Sequence, residues 1–256
     1  MEILNNLLQY DQKLFQEKDC DLIIGLDEVG RGALAGPVLV SAYASLAFTS
    51  DVDLKKQTNL SDLNDSKKVK PSARAHLVDA LKYEIKDSYY AIQENSAAMI
   101  DDEGIVKAIF DAMKQALLRV LQDFQEKSHS QLNSILVLVD GIKLIPGLEE
   151  FLIANGFNIK IDQVAVKKGD TTSASIAAAS NIAKYYRDQL MIELADKNPD
   201  LEVYSWRTNV GYGSKKHRDA LFEYGLTEYH RQSFCKFLKL PPLVVSNIQN
   251  HLSDEV

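Results

Sequence analysis

The run at 134–140, SILVLVD, most limits the folds open to this chain. It is an unbroken apolar stretch with no alternating polar face, which describes a strand buried on both sides. Such strands belong to sheets covered by helices on both faces. The segments around it fit that picture. Residues 1–20 read as an amphipathic helix, strands are expected at about 21–27 and 37–47, and a polar loop spans 49–70. Pro71 then opens a helix with Leu77, Val78, Leu81 and Ile85 at helical spacing. A third strand is expected at 89–93, and one long helix over 102–126, with Asp101, Asp102 and Glu103 at its start. A short helix follows at 146–155, a strand at 159–166, and a helix over 171–197 whose segment SASIAAAS (173–180) allows close packing. A helix at 215–224 stops at Gly225, and a weakly signalled one covers 242–252. This order predicts an α/β protein with a mixed sheet.

With 46% hydrophobic and 25% charged residues, the composition is that of an ordinary soluble protein. Cys20 and Cys235 lack metal-ligand spacing, no secretory segment is evident, and no apolar run has the length of a membrane span. A cytoplasmic protein is expected. The net charge of −7 disfavours indiscriminate binding to nucleic acid. Locally the balance reverses: 205–218 holds Arg207, Lys215, Lys216 and Arg218 with no acid, and Lys167, Lys168, Lys184 and Arg187 surround Asp170. A polyanion can dock on such patches.

The chemistry-bearing residues cluster where apolar runs end. In LIIGLDEVGRGALAGPVLV (22–40), Asp27 and Glu28 close a strand-like run and open into Gly30-Arg31-Gly32. Acids beside a buried strand are costly unless they are paired or hold a cation. The glycines expose bare backbone N–H groups to any phosphate or sugar nearby. Asp140-Gly141 stands where the buried strand emerges, and Asp170 follows Lys168-Gly169 just before a helix. Each acid alone has a simple use as a cap or turn residue. Together they form an oxygen-rich set suited to Mg2+ or Mn2+. In-line phosphodiester hydrolysis is served by two such ions about 4 Å apart. One tension follows. Adjacent strand residues point to opposite faces, so Asp27 and Glu28 cannot share a site from a regular strand. A departure from strand geometry is therefore expected at about Glu28.

The string Asp-Glu-Val-Gly-Arg-Gly at 27–32, Leu-Ala-Gly-Pro-Val at 34–38, Val-Asp-Gly at 139–141 and Lys-Gly-Asp at 168–170 resembles the type 2 ribonucleases H, bacterial ribonuclease HII in particular. The resemblance spans roughly 22–235. It implies a ribonuclease H-like fold, with a five-stranded mixed sheet flanked by helices and a C-terminal helical part. On this view 1–20 form an N-terminal helical extension and 21–256 the catalytic domain. It also implies that Asp27, Glu28, Asp140 and Asp170 hold two divalent cations, Mn2+ or Mg2+. The implied reaction is cleavage of the RNA strand of RNA–DNA hybrids, and of duplex DNA on the 5′ side of a single ribonucleotide, leaving 3′-OH and 5′-phosphate ends.

Substrate-binding residues are implied in the same way. Gly30, Arg31 and Gly32 grip the ribonucleotide and its 2′-OH, which separates RNA from DNA. Tyr212, in Gly211-Tyr212-Gly213-Ser214, stacks at the RNA–DNA junction. Ser66 and Lys67, in Asp65-Ser66-Lys67, contact phosphates. Lys184 and Arg187 face phosphate or brace an acid; Ser173, Ser175 and Ser180 can also reach phosphates, though helix packing is the expected use of most of them. His230-Arg231-Gln232-Ser233-Phe234 reads as mainly structural. The expected partners are RNA–DNA hybrid and ribonucleotide-containing DNA, with no membrane and no obligate protein partner, the protein acting as a monomer. Departures from the family pattern are Asn209-Val210 where His-Lys is frequent, Ala33 for proline, Ile142 for asparagine, and a long interval between Asp140 and Asp170. With about twenty residues before the first strand, the N-terminal domain of ribonuclease HIII is not expected. Asp170 replaces that branch's usual Glu.

Three rival readings are weaker. A dinucleotide-binding loop would need a helix after the glycines, yet the spacing is GxGxxxG and Pro37 begins a strand-like run. A nuclease-like domain that only binds nucleic acid is disfavoured by the presence of all four acids. A resolvase is disfavoured by the segments that address a 2′-OH.

Overall fold

The computed structural model of the 256-residue chain describes residues 2–50, 60–128 and 131–238. Five strands form one mixed sheet: β1 (Leu22–Val29), β2 (Val38–Ser45), β3 (Ser88–Asn95), β4 (Ser134–Asp140) and β5 (Lys160–Val166), in the order β3-β2-β1-β4-β5. The first three strands pair antiparallel, while β4 runs parallel to both β1 and β5. The described helices are α1 (Glu2–Lys18), α2 (Leu46–Thr49), α3 (Pro71–Asp79), α4 (Ala97–Glu103), α5 (Ile105–Lys127), α6 (Leu148–Ala154), α7 (Ala174–Lys197), α8 (Trp206–Asn209) and α9 (Lys215–Tyr224). The expected mixed sheet with helices on both faces is what forms.

Burial explains the layering. Along β1, Leu22, Ile24 and Leu26 join Val137 and Val139 of β4 in a core against Ala112, Met113 and Ala116 of α5. The opposite face is covered by α7. At Gly25 a Cβ would run into the Ser175 backbone, so sheet and helix meet with no side chain between them. This contact is why the 173–180 segment is built from small residues. α1, α3 and the turn after α3 pack onto the same side through Leu4, Leu7, Leu77 and Leu81. A third cluster, around Trp206, Tyr204 and Leu221, joins the far half of α7 to α8, α9 and the loop residues Leu34 and Ala35.

Several expected boundaries shift. The helix expected over 102–126 is two helices, because Gly104 adopts a left-handed φ of +82° that ends α4 and starts α5. Ser96 caps α4 by accepting from Met99 N. α3 continues through 80–84 as a π-type turn. The helix expected from 171 begins at Ala174, with Ser173 as its N-cap and a 3-10 turn (Gly169–Thr171) ahead of it. The segment 242–252 lies outside the described residues. Among the described residues, no helix is long and apolar enough to cross a membrane.

Candidate active site

The geometry starts from where β4 stops pairing. β1 and β4 are in register up to Leu26↔Val139, whereas β1 stays paired to β2 through Asp27↔Ser41, Glu28↔Val40 and Val29↔Leu39. The departure expected at Glu28 is therefore absent. β1 is regular to Val29, and the chain turns only at Gly30, at φ +85°. The two carboxylates meet by a different route. Beyond Leu26 the β1–β4 pairing ends, and β4 itself ends at Asp140, still paired to Val166 of β5, so side chains from opposite faces of β1 reach one gap around the strand's end. Asp140, the last residue of β4, stands there. A 430 Å³ cavity holds Asp27, Glu28, Asp140 and Asp170 together. A second, mostly apolar cavity of 290 Å³, walled by α5, is reached by Glu28 and Asp140 but not by Asp27.

Three of the four acids are fixed by a short contact. Asp27 Oδ1 accepts from Glu28 N at 2.7 Å, and Glu28 Oε1 accepts from Arg31 Nη1 at 3.1 Å. Asp140 Oδ1 accepts from Gly169 N at 2.6 Å, which ties β4 to the turn carrying Asp170. Burial lifts the Asp27 carboxyl well above the usual range, and repulsion from Asp140 and Glu28 adds to it. Glu28 is raised by burial and by Asp140, opposed by Arg31. Asp170 is raised by burial and by the charges of Asp65 and Asp140, with Lys67 opposing. Mutual repulsion among carboxylates in a poorly solvated gap is relieved by a hard cation. The donors are all oxygen, which fits a divalent ion of the Mg2+ or Mn2+ type. Among the described residues no three such side chains already form a ligand cage. The residues fit a divalent cation by chemistry and charge rather than by a preformed cage.

The cavity brings together every residue expected in the site except Arg187: Gly30, Arg31, Gly32, Ser66, Lys67, Lys184 and Tyr212 line it with the four acids. Arg187 is fully buried. It donates from Nε to Pro37 O, from Nη1 to Val210 O and from Nη2 to Ala35 O, with its guanidinium 5.3 Å from the Tyr212 ring centroid. It braces loops and faces no phosphate. Lys184 lies on the cavity but pairs with Asp188 at 2.6 Å.

The serines of α7 divide by position. Ser173 caps the helix, Ser175 binds Asp11 of α1, and Ser180 lines the cavity, donating to Ser66 Oγ at 3.0 Å. Sequence reasoning gave all three serines a reach to phosphate, with packing the use of most, and did not single out Ser180. It also gave no role to Asp65, which accepts from Lys67 N at 2.9 Å and shapes that loop. An acid two residues before a loop lysine is a readable signal for such a turn. The basic patch at 205–218 is thinner than its composition suggests. Arg207 pairs with Asp196 and Glu202, and Lys215 pairs with Asp219. Asn209 accepts from Gly211 N at 2.9 Å and so shapes the turn before Tyr212.

Comparison with known proteins gives a consistent result. The family model described as Ribonuclease HII matches residues 24–237. The ribonuclease HII of Macrococcus caseolyticus is 38% identical over 88% of this chain and 72% of its own length. That of a Wolbachia strain from Drosophila simulans is 35% identical over 89% of this chain and 97% of its own. Two solved structures share the fold. Ribonuclease H2 of Pyrococcus horikoshii has a TM-score of 0.60 at 20% identity, covering 85% of this chain and 97% of that one. The ribonuclease HII of Archaeoglobus fulgidus, solved in complex with PCNA, has a TM-score of 0.58 at 22% identity, covering 88% and 98%. With a ribonuclease H-like sheet, an all-carboxylate gap at its strand ends and a family match along most of its length, this chain belongs to the ribonuclease HII family of metal-dependent endoribonucleases acting on RNA–DNA hybrids.

Proposed function

We propose that the protein nicks duplex DNA on the 5′ side of an embedded ribonucleotide, as well as the RNA strand of longer hybrids, leaving 3′-OH and 5′-phosphate ends. Asp27, Glu28, Asp140 and Asp170 would hold two divalent cations, Mg2+ or Mn2+. Such ions, when bound, activate the attacking water and offset charge on the leaving 3′ oxygen. The observation that carries this reading is that all four acids share one cavity with the Gly30–Gly32 turn, Lys67 and Tyr212.

Within it, the acids concentrate negative charge at the cleavage point, and Arg31 holds Glu28 in place. Lys67, Lys184, Ser66 and Ser180, which line the same cavity, would supply its phosphate donors. Gly32 supports close approach of a nucleotide. Apart from its two chain neighbours, no protein atom lies within 4 Å of where its Cβ would stand, so the fold itself makes no demand for glycine there. A sugar edge pressed against the backbone does. Tyr212 offers a ring for stacking at the junction. In this reading the protein works in the cytoplasm as a single chain.

The test uses two end-labelled duplexes, one all-DNA and one with a single ribonucleotide, each with and without Mg2+ or Mn2+. Metal-dependent nicking of the second alone, with a 3′-OH on the upstream fragment, is the expected result. Equal cutting of both, or cutting that ignores the ribonucleotide, would refute the reading.

A further inference from the structure

Behind the Tyr212 turn lies a buried pair of histidines that the reaction does not use. His217 of α9 has no solvent exposure and His230 has 2%. Their Nε2 atoms are 3.0 Å apart, which requires one to donate and the other to accept. The neighbours decide which. Trp206 Nε1, which can only donate, points at His217 Nε2 at 3.2 Å. His217 Nε2 is therefore the acceptor, shared between Trp206 and His230, and its proton sits on Nδ1. That Nδ1–H donates to the Tyr212 carbonyl at 2.9 Å. At the other end, Thr227 N, again only a donor, points at His230 Nδ1 at 2.9 Å, and Thr227 Oγ1 lies 2.8 Å from the same atom. His230 thus carries its proton on Nε2 and passes it toward His217. Each bond has one direction only, from Thr227 through His230 and His217 to Tyr212.

Both rings stay neutral. Burial lowers the His217 pKa, and burial with repulsion from His217 takes His230 down to about 3. The same chain reaches the other substrate-facing loop through the backbone. His230 forms a β-bridge with Ala35, Arg231 N donates to Leu34 O, and Arg231 Nη1 donates to Arg31 O at 3.1 Å. Leu34 N in turn donates to Gly211 O at 2.9 Å.

We infer that His217, its tautomer fixed by Trp206 and His230, ends a positioning relay whose Nδ1–H donor holds Tyr212 in register with the Arg31 loop, and so sets how tightly the junction is gripped. The inference rests on the role proposed above for Tyr212. His217 touches no substrate and acts through the Tyr212 carbonyl. An asparagine amide can present an N–H near the place of Nδ1, whereas a glutamine amide reaches the place of Nε2. His217→Asn keeps the donor to Tyr212 and His217→Gln does not, while both remove the buried ring from the cluster.

The test measures kcat and KM on the single-ribonucleotide duplex, with Tm, for both variants in the wild-type and Tyr212→Ala backgrounds. In the wild-type background, His217→Gln raises KM about tenfold with little change in kcat, the size expected for a weakened stacking contact. His217→Asn stays near wild type in KM although its Tm falls as far. In the Tyr212→Ala background, His217→Gln has no further effect on KM. An equal loss in both backgrounds, or equal losses from Asn and Gln, would overturn the relay and leave only a structural role. If Tyr212→Ala itself changes nothing, it is the assignment of Tyr212 that has failed, and the relay fails with it. Nitrogen-15 spectra of the wild-type imidazoles give a check that needs no variant. They should show a neutral Nδ1–H tautomer for His217 and a neutral Nε2–H tautomer for His230, and the reverse assignment would sink the proposal.

Discussion

Gly30 lies directly against the side chain of Arg187, with no room for a Cβ between its backbone and the guanidinium. The turn that follows the two β1 acids is thus seated on a buried cation that three carbonyl groups already hold in place. Position 30 is set from below by the fold, and position 32 is open to the cavity.

The two glycines should respond differently to a methyl group. Gly30→Ala must adopt φ +85° and also displace Arg187. A loss of about 2–4 kcal/mol is expected in urea unfolding, from backbone strain and overpacking combined. Gly32→Ala should leave stability within roughly 0.5 kcal/mol, as surface substitutions do. Its kcat/KM on a ribonucleotide-containing duplex should nevertheless fall by about tenfold or more, since close backbone approach is lost. Unchanged cleavage by Gly32→Ala would remove that turn from the substrate interface.

Asp27→Asn and Asp140→Asn should each reduce cleavage by about a thousandfold or more while duplex binding persists. The same Asp27→Asn change should raise Tm at pH 7.5 without metal, because the buried carboxylate it removes is repelled by Asp140 and Glu28. Each kcal/mol relieved corresponds to roughly 2–4 °C for a chain of this size. Added Mg2+ should raise the Tm of the wild type, reversibly with EDTA, and should leave the Tm of Asp140→Asn unmoved. An Asp27→Asn protein that cuts normally would exclude the four-acid site.

Tyr212→Ala should lower kcat/KM at an RNA–DNA junction by about ten- to a hundredfold, the range of a lost base–aromatic stack. Its Tm should change little, since the Tyr212 ring lines the cavity. A large fall in Tm with no loss of cleavage would assign the ring to folding instead.

A pH effect should arise outside the acid-lined cavity. Asp11 of α1 is fully buried against α7, accepting from Ser175 N at 2.8 Å and from Ser175 Oγ at 2.7 Å, while its Oδ1 has no partner. Burial lifts its pKa from 3.8 to about 6. The folded state therefore binds this proton more tightly than the unfolded chain. The resulting stabilisation is complete below pH 3.8 and is lost as pH rises through about 6. The whole effect is on the order of 3 kcal/mol. Asp11→Asn keeps an acceptor for Ser175 N and removes the titration, so it should gain stability relative to wild type between pH 5 and 7.5. Parallel stability curves for the two proteins over that interval would rule the effect out.

Much of this was legible in the chain because the signals were local. The SILVLVD run declared a doubly covered strand, and Asp27, Glu28, Asp140 and Asp170 were readable as acids placed where strands end or helices begin. What escaped depended on partners distant in sequence. Arg187 sits one turn from Lys184 and reads as its surface companion, yet its three acceptors come from Ala35, Pro37 and Val210. A buried guanidinium is tolerated only with such acceptors, and no local pattern announces them. Gly104 was overlooked because the apolar stripe resumes at once beyond it. The meeting of Asp27 and Glu28 was expected from a distorted β1. It comes from the register at which β4 runs out, which only the pairing reveals.

That early stop of β4 has a consequence for how the chain can drift. Ile, Leu and Val can trade places along 135–139 with small effect, since volume-conserving swaps in a core are well tolerated. Strand length has no such freedom. One residue inserted before Asp140 would turn its carboxylate to the opposite side and extend a wall between Asp27 and Glu28. The spelling of this strand is negotiable, but its count of residues is not.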